Sequence, residues 1–124
     1  MNTGITLLVT AVILLSLDSI YIYVFSNMFM KQIEDVQGSP LTLNLVGAIP
    51  CYIILISGLY YFIIKPNRTV MDAFLLGLFV YGVYEFTNLA IIKKWNIQTV
   101  MIDTLWGGLL FATTTYIIQN YLKK

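Results

Sequence analysis

The chain has 124 residues, of which 59% are hydrophobic and 10% charged, against about 45 to 50% and about 25% in an ordinary soluble domain. No polar segment is long enough to hold a core of its own, so the expectation is a single membrane domain over residues 1–124. A net charge of +1, carried by short basic pairs rather than one long cluster, argues for no nucleic-acid partner.

The first apolar run, Ile5 to Phe25, is too long for a signal peptide, lacks a basic start and is followed by no small-residue cleavage site, so it is expected to remain as a transmembrane helix. It carries Asp18. Lys31 to Thr42 follows as a loop containing Glu34, Asp35 and a Gly38-Ser39-Pro40 turn signal. The second run, Leu45 to Ile64, holds Pro50 and the lone cysteine, Cys51, which can form no intrachain disulfide and reads as a small packing residue. Pro50 frees the carbonyl of Val46 and reads either as a kink that improves packing, the more ordinary case, or as the source of an additional oxygen for an intramembrane site. Lys65-Pro66-Asn67-Arg68 closes this helix, and Asn67-Arg68-Thr69, although it matches a glycosylation acceptor, lies almost at the membrane surface and reads as turn sequence. The third run, Ala73 to Ile92, contains Glu85. Lys93 to Gln98 links it tightly to the fourth, Thr99 to Ile118, which contains Asp103.

Each run is close to the length of about 20 residues that crosses a hydrocarbon core of about 30 Å. Backbone groups in lipid must be paired internally, so these runs are helices despite their β-branched content. Short connections favour antiparallel neighbours, which predicts an all-α, integral membrane four-helix bundle with up-down-up-down topology, spanning about 5–25, 45–64, 73–92 and 99–118. Lys65 with Arg68, Lys93 with Lys94, and Lys123 with Lys124 read as membrane-flanking anchors. A cytoplasmic N-terminus puts Lys65, Arg68, Lys123 and Lys124 inside and Lys31, Lys93 and Lys94 outside, so the positive-inside rule favours both termini in the cytoplasm of a multi-pass cell-membrane protein.

An ionisable side chain at bilayer depth costs roughly 2.5 to 3.5 kcal/mol on insertion scales, so it faces the bundle interior or serves a function. At about 1.5 Å per residue, Asp18 lies roughly 20 Å from Ile5 and Glu85 roughly 18 Å from Ala73, measured from one face, while Asp103 lies roughly 6 Å from Thr99 at the other. The three carboxylates therefore fall in one layer. Helical spacing places Tyr81, Gly82, Glu85 and Asn88 on one stripe, Asp103, Trp106, Gly107 and Leu110 on another, and Asp18 with Tyr21 and Ile22 on a third. Gly82, Gly107 and Gly108 allow close approach of backbones. The pocket so predicted is acidic, aromatic and walled by glycine.

Leu17-Asp18, the segment Tyr84-Glu85-Phe86-Thr87-Asn88-Leu89-Ala90, Trp95, and the segment Asp103-Thr104-Leu105-Trp106-Gly107 together resemble the predicted membrane proteins of the domain of unknown function 2177 family over nearly the whole chain. The family pattern usually has Asp at the position of Glu85 and Trp near Tyr21. The resemblance implies a compact polytopic protein of bacteria, with relatives in large DNA viruses whose membrane is internal to the virion. It implies no established activity, and it marks Asp18, Glu85, Thr87, Asn88, Asp103, Trp106 and Gly107 as the positions to test.

No Lys, Arg or His lies within the runs, so three carboxylates cannot all ionise cheaply; the layer holds at least one proton near neutral pH, or a cation. The expected ligand-binding residues are Asp18, Tyr21, Tyr81, Glu85, Thr87, Asn88, Asp103 and Trp106, with a cationic ligand between Glu85 and the rings of Tyr21, Tyr81 and Trp106. No metal site, cofactor or catalytic residue is expected. The functional reading is a proton-, cation- or cationic-ligand-binding minimal transporter, with the lipid bilayer, a homodimer partner and a cation or lipid as its associates. The alternative is a scaffold in which carboxylic acids cross-link helices through Thr87, Asn88, Thr104 or tyrosine hydroxyls. An intramembrane lipid-modifying enzyme is the weakest reading, because the chain lacks His, a cysteine pair, a phosphate loop and a nucleophile elbow.

Overall fold

The computed structural model describes residues 2–122, and all regular structure among them is helical. The Lys123-Lys124 anchor lies outside the described residues. Helix α1 covers Thr3–Val24, α2 Ser26–Gln37, α3 Leu45–Leu59 with a π-helical continuation Tyr60–Ile64, α4 Val70–Ile91, and α5 Ile97–Ile117 with a similar continuation Ile118–Leu122. The four long segments, Thr3–Val24, Leu45–Ile64, Val70–Ile91 and Ile97–Leu122, are each long and apolar enough to cross a membrane. They match the expected spans to within a few residues, and the molecule is a helical bundle.

Short side chains set the helix starts. Asn2, Asn44, Thr69 and Asn96 each accept a hydrogen bond from a backbone N–H in the first turn of the following helix, satisfying donors that have no partner within the helix. Thr69 and Asn67 are thus used in capping and turning. Asn67 takes a left-handed φ of 59°, a conformation that asparagine tolerates better than most residues.

The segment Lys31 to Thr42 is not a loop throughout. Its first half belongs to α2, which runs to Gln37 and stops where Gly38, at a φ of 76°, returns its N–H to the Glu34 carbonyl at 2.8 Å. Such a left-handed residue is the common stop of a helix, and glycine takes it without a Cβ penalty. A polar helix of this length is marginal in water, so local pattern underestimates it. Docking supplies the difference: Phe29 packs edge-on against Tyr21 at 5.6 Å, and Gln32 is buried against the α4–α5 link.

Helices α4 and α5 make the closest pair. A Cβ on Gly77 would run into the Gly107 carbonyl and come within 2.9 Å of the Gly108 Cα, and one on Gly108 would meet the Phe74 ring at 2.9 Å. Gly107 is covered by the Tyr81 ring. The contacts of Phe74 with Gly108, Gly77 with Gly107, and Gly82 with Thr104 descend along one helix as they ascend the other, so the pair runs antiparallel. Small residues let membrane helices approach to backbone contact, where dispersion replaces the hydrophobic driving force. Helix α1 lies against both α5 and α3, and Leu14, Leu59, Ile64, Leu110, Phe111 and Ile118 form an apolar core at the end of the bundle nearer the N-terminus. Cys51 is exposed on α3, so it faces outward and does not serve as the packing residue its apolar setting suggests.

Candidate functional site

Asp18, Glu85 and Asp103 are 5%, 1% and 7% exposed, although each belongs to a helix whose outer face is bare. Each lies about six residues inside a helix end, at Val24, Ile91 and Ile97 respectively, or about 9 Å at the helical rise. The three acids occupy the half of the bundle that ends in α2 and the α4–α5 link, opposite the apolar core.

Two of the helices exchange hydrogen bonds reciprocally. Asp18 and Tyr21 on α1, and Asp103 and Trp106 on α5, have the same three-residue spacing. Because the two helices run in opposite directions, each aromatic residue meets the other helix's acid: Tyr21 donates its O–H to Asp103 Oδ1 at 3.0 Å, and Trp106 donates Nε1–H to Asp18 Oδ1 at 2.9 Å. Between these bonds the Tyr21 and Trp106 rings stack, 4.6 Å apart and 7° from parallel. Helix α3 adds Tyr52, whose hydroxyl donates to Asp18 Oδ2. Trp95, in the α4–α5 link, donates Nε1–H to Glu85 Oε1 at 2.9 Å. The remaining contact is between acids, for Glu85 and Asp103 lie within hydrogen-bonding reach of each other. Among the described residues the ion pairs are Lys31–Asp35 and Arg68–Asp72, both outside this layer. Aromatic N–H and O–H groups therefore do the work that arginine or lysine does at most buried carboxylates.

The link that carries Trp95 is itself clamped. Gln32 of α2, 4% exposed, donates Nε2–H to the Lys94 carbonyl at 2.9 Å and accepts the Asn96 N–H on Oε1 at 2.8 Å. One amide thus satisfies backbone groups on both sides of Trp95 and holds its indole over Glu85.

Of the residues expected at the site, Asp18, Tyr21, Glu85, Asp103 and Trp106 come together. Tyr81 lies alongside, its ring against Gly107 and edge-on to Phe111 at 6.4 Å, and donates to none of the three acids. Thr87 is exposed on the outer side of α4, because two residues from Glu85 is more than half a helical turn away. Asn88 lies beside the Tyr84 hydroxyl, not the carboxylates, and the Thr104 hydroxyl is buried without a hydrogen-bond partner. The cross-links thus run through tyrosine and tryptophan, and threonine and asparagine take no part. Val46, whose carbonyl Pro50 frees, is 83% exposed, and α3 reaches the layer with Tyr52. The Tyr21 and Trp106 rings cover one face of each other.

The match of this chain to a family model decides its kinship: residues 3–119 fit a family described as a predicted membrane protein, DUF2177. The chain belongs to the DUF2177 family. No curated protein and no solved structure matches it. In this DUF2177 protein, Tyr52, Trp95 and Gln32 complete a site that sequence alone does not delimit. Tyr52 is one of nine tyrosines and shares no stripe with another polar residue. Trp95 and Gln32 sit in polar segments, where a polar or interfacial aromatic residue is the ordinary case.

Proposed function

We propose that this DUF2177 protein is a proton-binding membrane protein, in which the Glu85–Asp103 pair carries an exchangeable proton and releases it against a cation or a cationic small molecule, as a minimal transporter. The carrying observation is the contact of two buried carboxyl groups with no basic side chain among the described residues paired to either. Two unit charges about 4 Å apart repel by about 4 kcal/mol at the effective dielectric of a protein. One added proton turns that repulsion into a hydrogen bond from one carboxyl to the other. Access is from the face that carries α2 and Trp95, since Leu14, Leu110 and Phe111 block the other direction. A cation arriving there meets Glu85 first, once the Trp95 indole gives way. Both termini are placed in the cytoplasm by the positive-inside rule, and a homodimer would supply further walls to a small enclosure.

The test is proton release from purified protein in vesicles on addition of amines or quaternary ammonium compounds, followed with a pH-sensitive dye. Release that is abolished by Glu85→Gln supports the reading, and its absence at millimolar ligand, which corresponds to about 4 kcal/mol of affinity, rejects it. A second reading, a scaffold that organises a membrane or partner, is favoured by the aromatic donors that already engage all three acids. On that reading Asp18→Asn, Glu85→Gln and Asp103→Asn, changed singly, leave the protein working.

A further inference from the structure

We propose that the groove between the end of α3 and the first turns of α4 binds an anionic phospholipid, with its phosphate at Lys65 and Arg68 and one acyl chain along α4 as far as Phe79. The groove has a volume of about 770 Å³ and is lined by Tyr61, Phe62, Lys65, Arg68, Leu75 and Phe79 among others. Its chemistry changes along its length. The mouth is basic and lies where the chain turns at Pro66 and Asn67, and the trough below is aromatic and aliphatic. From Val70, where α4 begins, to Phe79 the helical rise covers about 14 Å, close to half of a hydrocarbon core of about 30 Å. The trough is therefore one leaflet deep, the reach of a single acyl chain hung from a headgroup.

Charge at the mouth selects the headgroup. Among the described residues Asp72 is the one carboxylate lining the groove, and Arg68 Nε already engages it at 3.0 Å, leaving the other guanidinium N–H groups for a second anion. Lys65 makes no ion pair among the described residues; its ammonium stands 5.7 Å over the Tyr61 ring. One net positive charge thus remains beside two flexible donors at the depth of lipid phosphates, the arrangement by which basic pockets between membrane helices hold anionic headgroups. The mouth is preformed, since Gln119 of α5 donates to the Arg68 carbonyl at 2.6 Å and fixes the turn. The π-helical continuation of α3 leaves Tyr61 and Phe62 turned outward, 62% and 59% exposed, and Phe79, 65% exposed, lines the same groove. This site is independent of the carboxyl layer and lies at the opposite end of the bundle.

Native mass spectrometry of the detergent-purified protein, titrated with dioleoylphosphatidylglycerol against dioleoylphosphatidylcholine, reads the preference directly. At least a fivefold excess of the anionic lipid on the unaltered protein is expected, falling to parity in the Lys65→Gln/Arg68→Gln variant. Lys93→Gln/Lys94→Gln, at the other membrane face, should keep the fivefold preference. Soluble glycerol phosphate should not displace the lipid, because it has no chain for the trough. Equal retention of the two lipids by the unaltered protein overturns the proposal without recourse to any variant. So does a preference that survives Lys65→Gln/Arg68→Gln or is lost in Lys93→Gln/Lys94→Gln, and displacement by glycerol phosphate overturns the acyl-chain half.

Discussion

Tyr21 and Trp106 each satisfy an acid on the opposite helix while their rings cover one another, so removing either donor should expose the cost of a buried carboxyl left short of a partner. Interhelical hydrogen bonds in membranes average only about 0.6 kcal/mol, but an unsatisfied buried acceptor costs about 1 to 3 kcal/mol. Tyr21→Phe keeps the stack and removes the O–H donated to Asp103. It should lower unfolding stability by about 1 to 2 kcal/mol, measured by reversible denaturation in mixed micelles. Paired with Asp103→Asn, the loss should fall short of the sum of the two single changes by about 0.5 kcal/mol or more, as for residues in one network. The proton assigned to the Glu85–Asp103 pair predicts an infrared band of protonated carboxyl at neutral pH, absent in the Glu85→Gln/Asp103→Asn variant. Absence of that band from the unaltered protein at neutral pH would refute it.

Between α4 and α5, glycine is required at some positions and optional at others. Gly77→Ala drives a methyl group into the Gly107 carbonyl; the helices must separate, at a cost of about 1 to 3 kcal/mol as for other overpacked contacts, and the Glu85–Asp103 contact loosens with them. Gly58→Ala on α3 meets nothing within 4 Å and should be neutral or gain up to about 1 kcal/mol from helix propensity. Thermal denaturation of the two variants side by side distinguishes a packing requirement from a general intolerance of alanine. Helix α2 offers a similar contrast. The exposed Lys31–Asp35 pair at 2.8 Å is worth about 0 to 1 kcal/mol, so Lys31→Ala should change little. Gln32→Ala removes both bonds that flank Trp95. In a Trp106→Phe background, where Trp95 is the remaining tryptophan, it should shift indole emission to the red and speed amide exchange over residues 93–96.

The three buried carboxylates lie at one end of the interior, while the other end buries Leu14, Leu59, Leu110 and Phe111 together with Thr6, Thr10, Thr114 and Thr115. Tyr60 donates to Thr3 at 3.3 Å and Gln119 reaches the Arg68 carbonyl, which gathers the start of α1, the α3–α4 turn and the end of α5 at one end of the bundle. Gln32 joins α2 to the α4–α5 link at the other. With Cys51→Ser as background, Ser39→Cys and Asn67→Cys should therefore react with an impermeant maleimide from opposite sides of the membrane. Labelling of both from one side would contradict the arrangement.

Hydropathy and length along the chain were sufficient to place the four spans, and the helical rise was sufficient to put Asp18, Glu85 and Asp103 near one depth, since both depend on local repeat alone. The same repeat groups Asp18 with Tyr21 and Asp103 with Trp106. It does not say that the groups trade partners, because that follows from the opposed directions and register of two helices far apart in sequence. Thr87, beside Glu85 in sequence, turns outward, while Tyr52 and Trp95 arrive from other elements. Nor does local pattern distinguish the docked helix α2 from a polar loop, for its stability comes from Phe29 and Gln32 meeting surfaces built elsewhere. The amino-acid sequence was enough to mark which segments are long and apolar enough to cross a membrane and how far along each helix its acid lies, because transfer free energy and rise per residue are properties of a segment. Only the tertiary structure decided which donor satisfies which acid, because a hydrogen bond depends on two helix faces meeting.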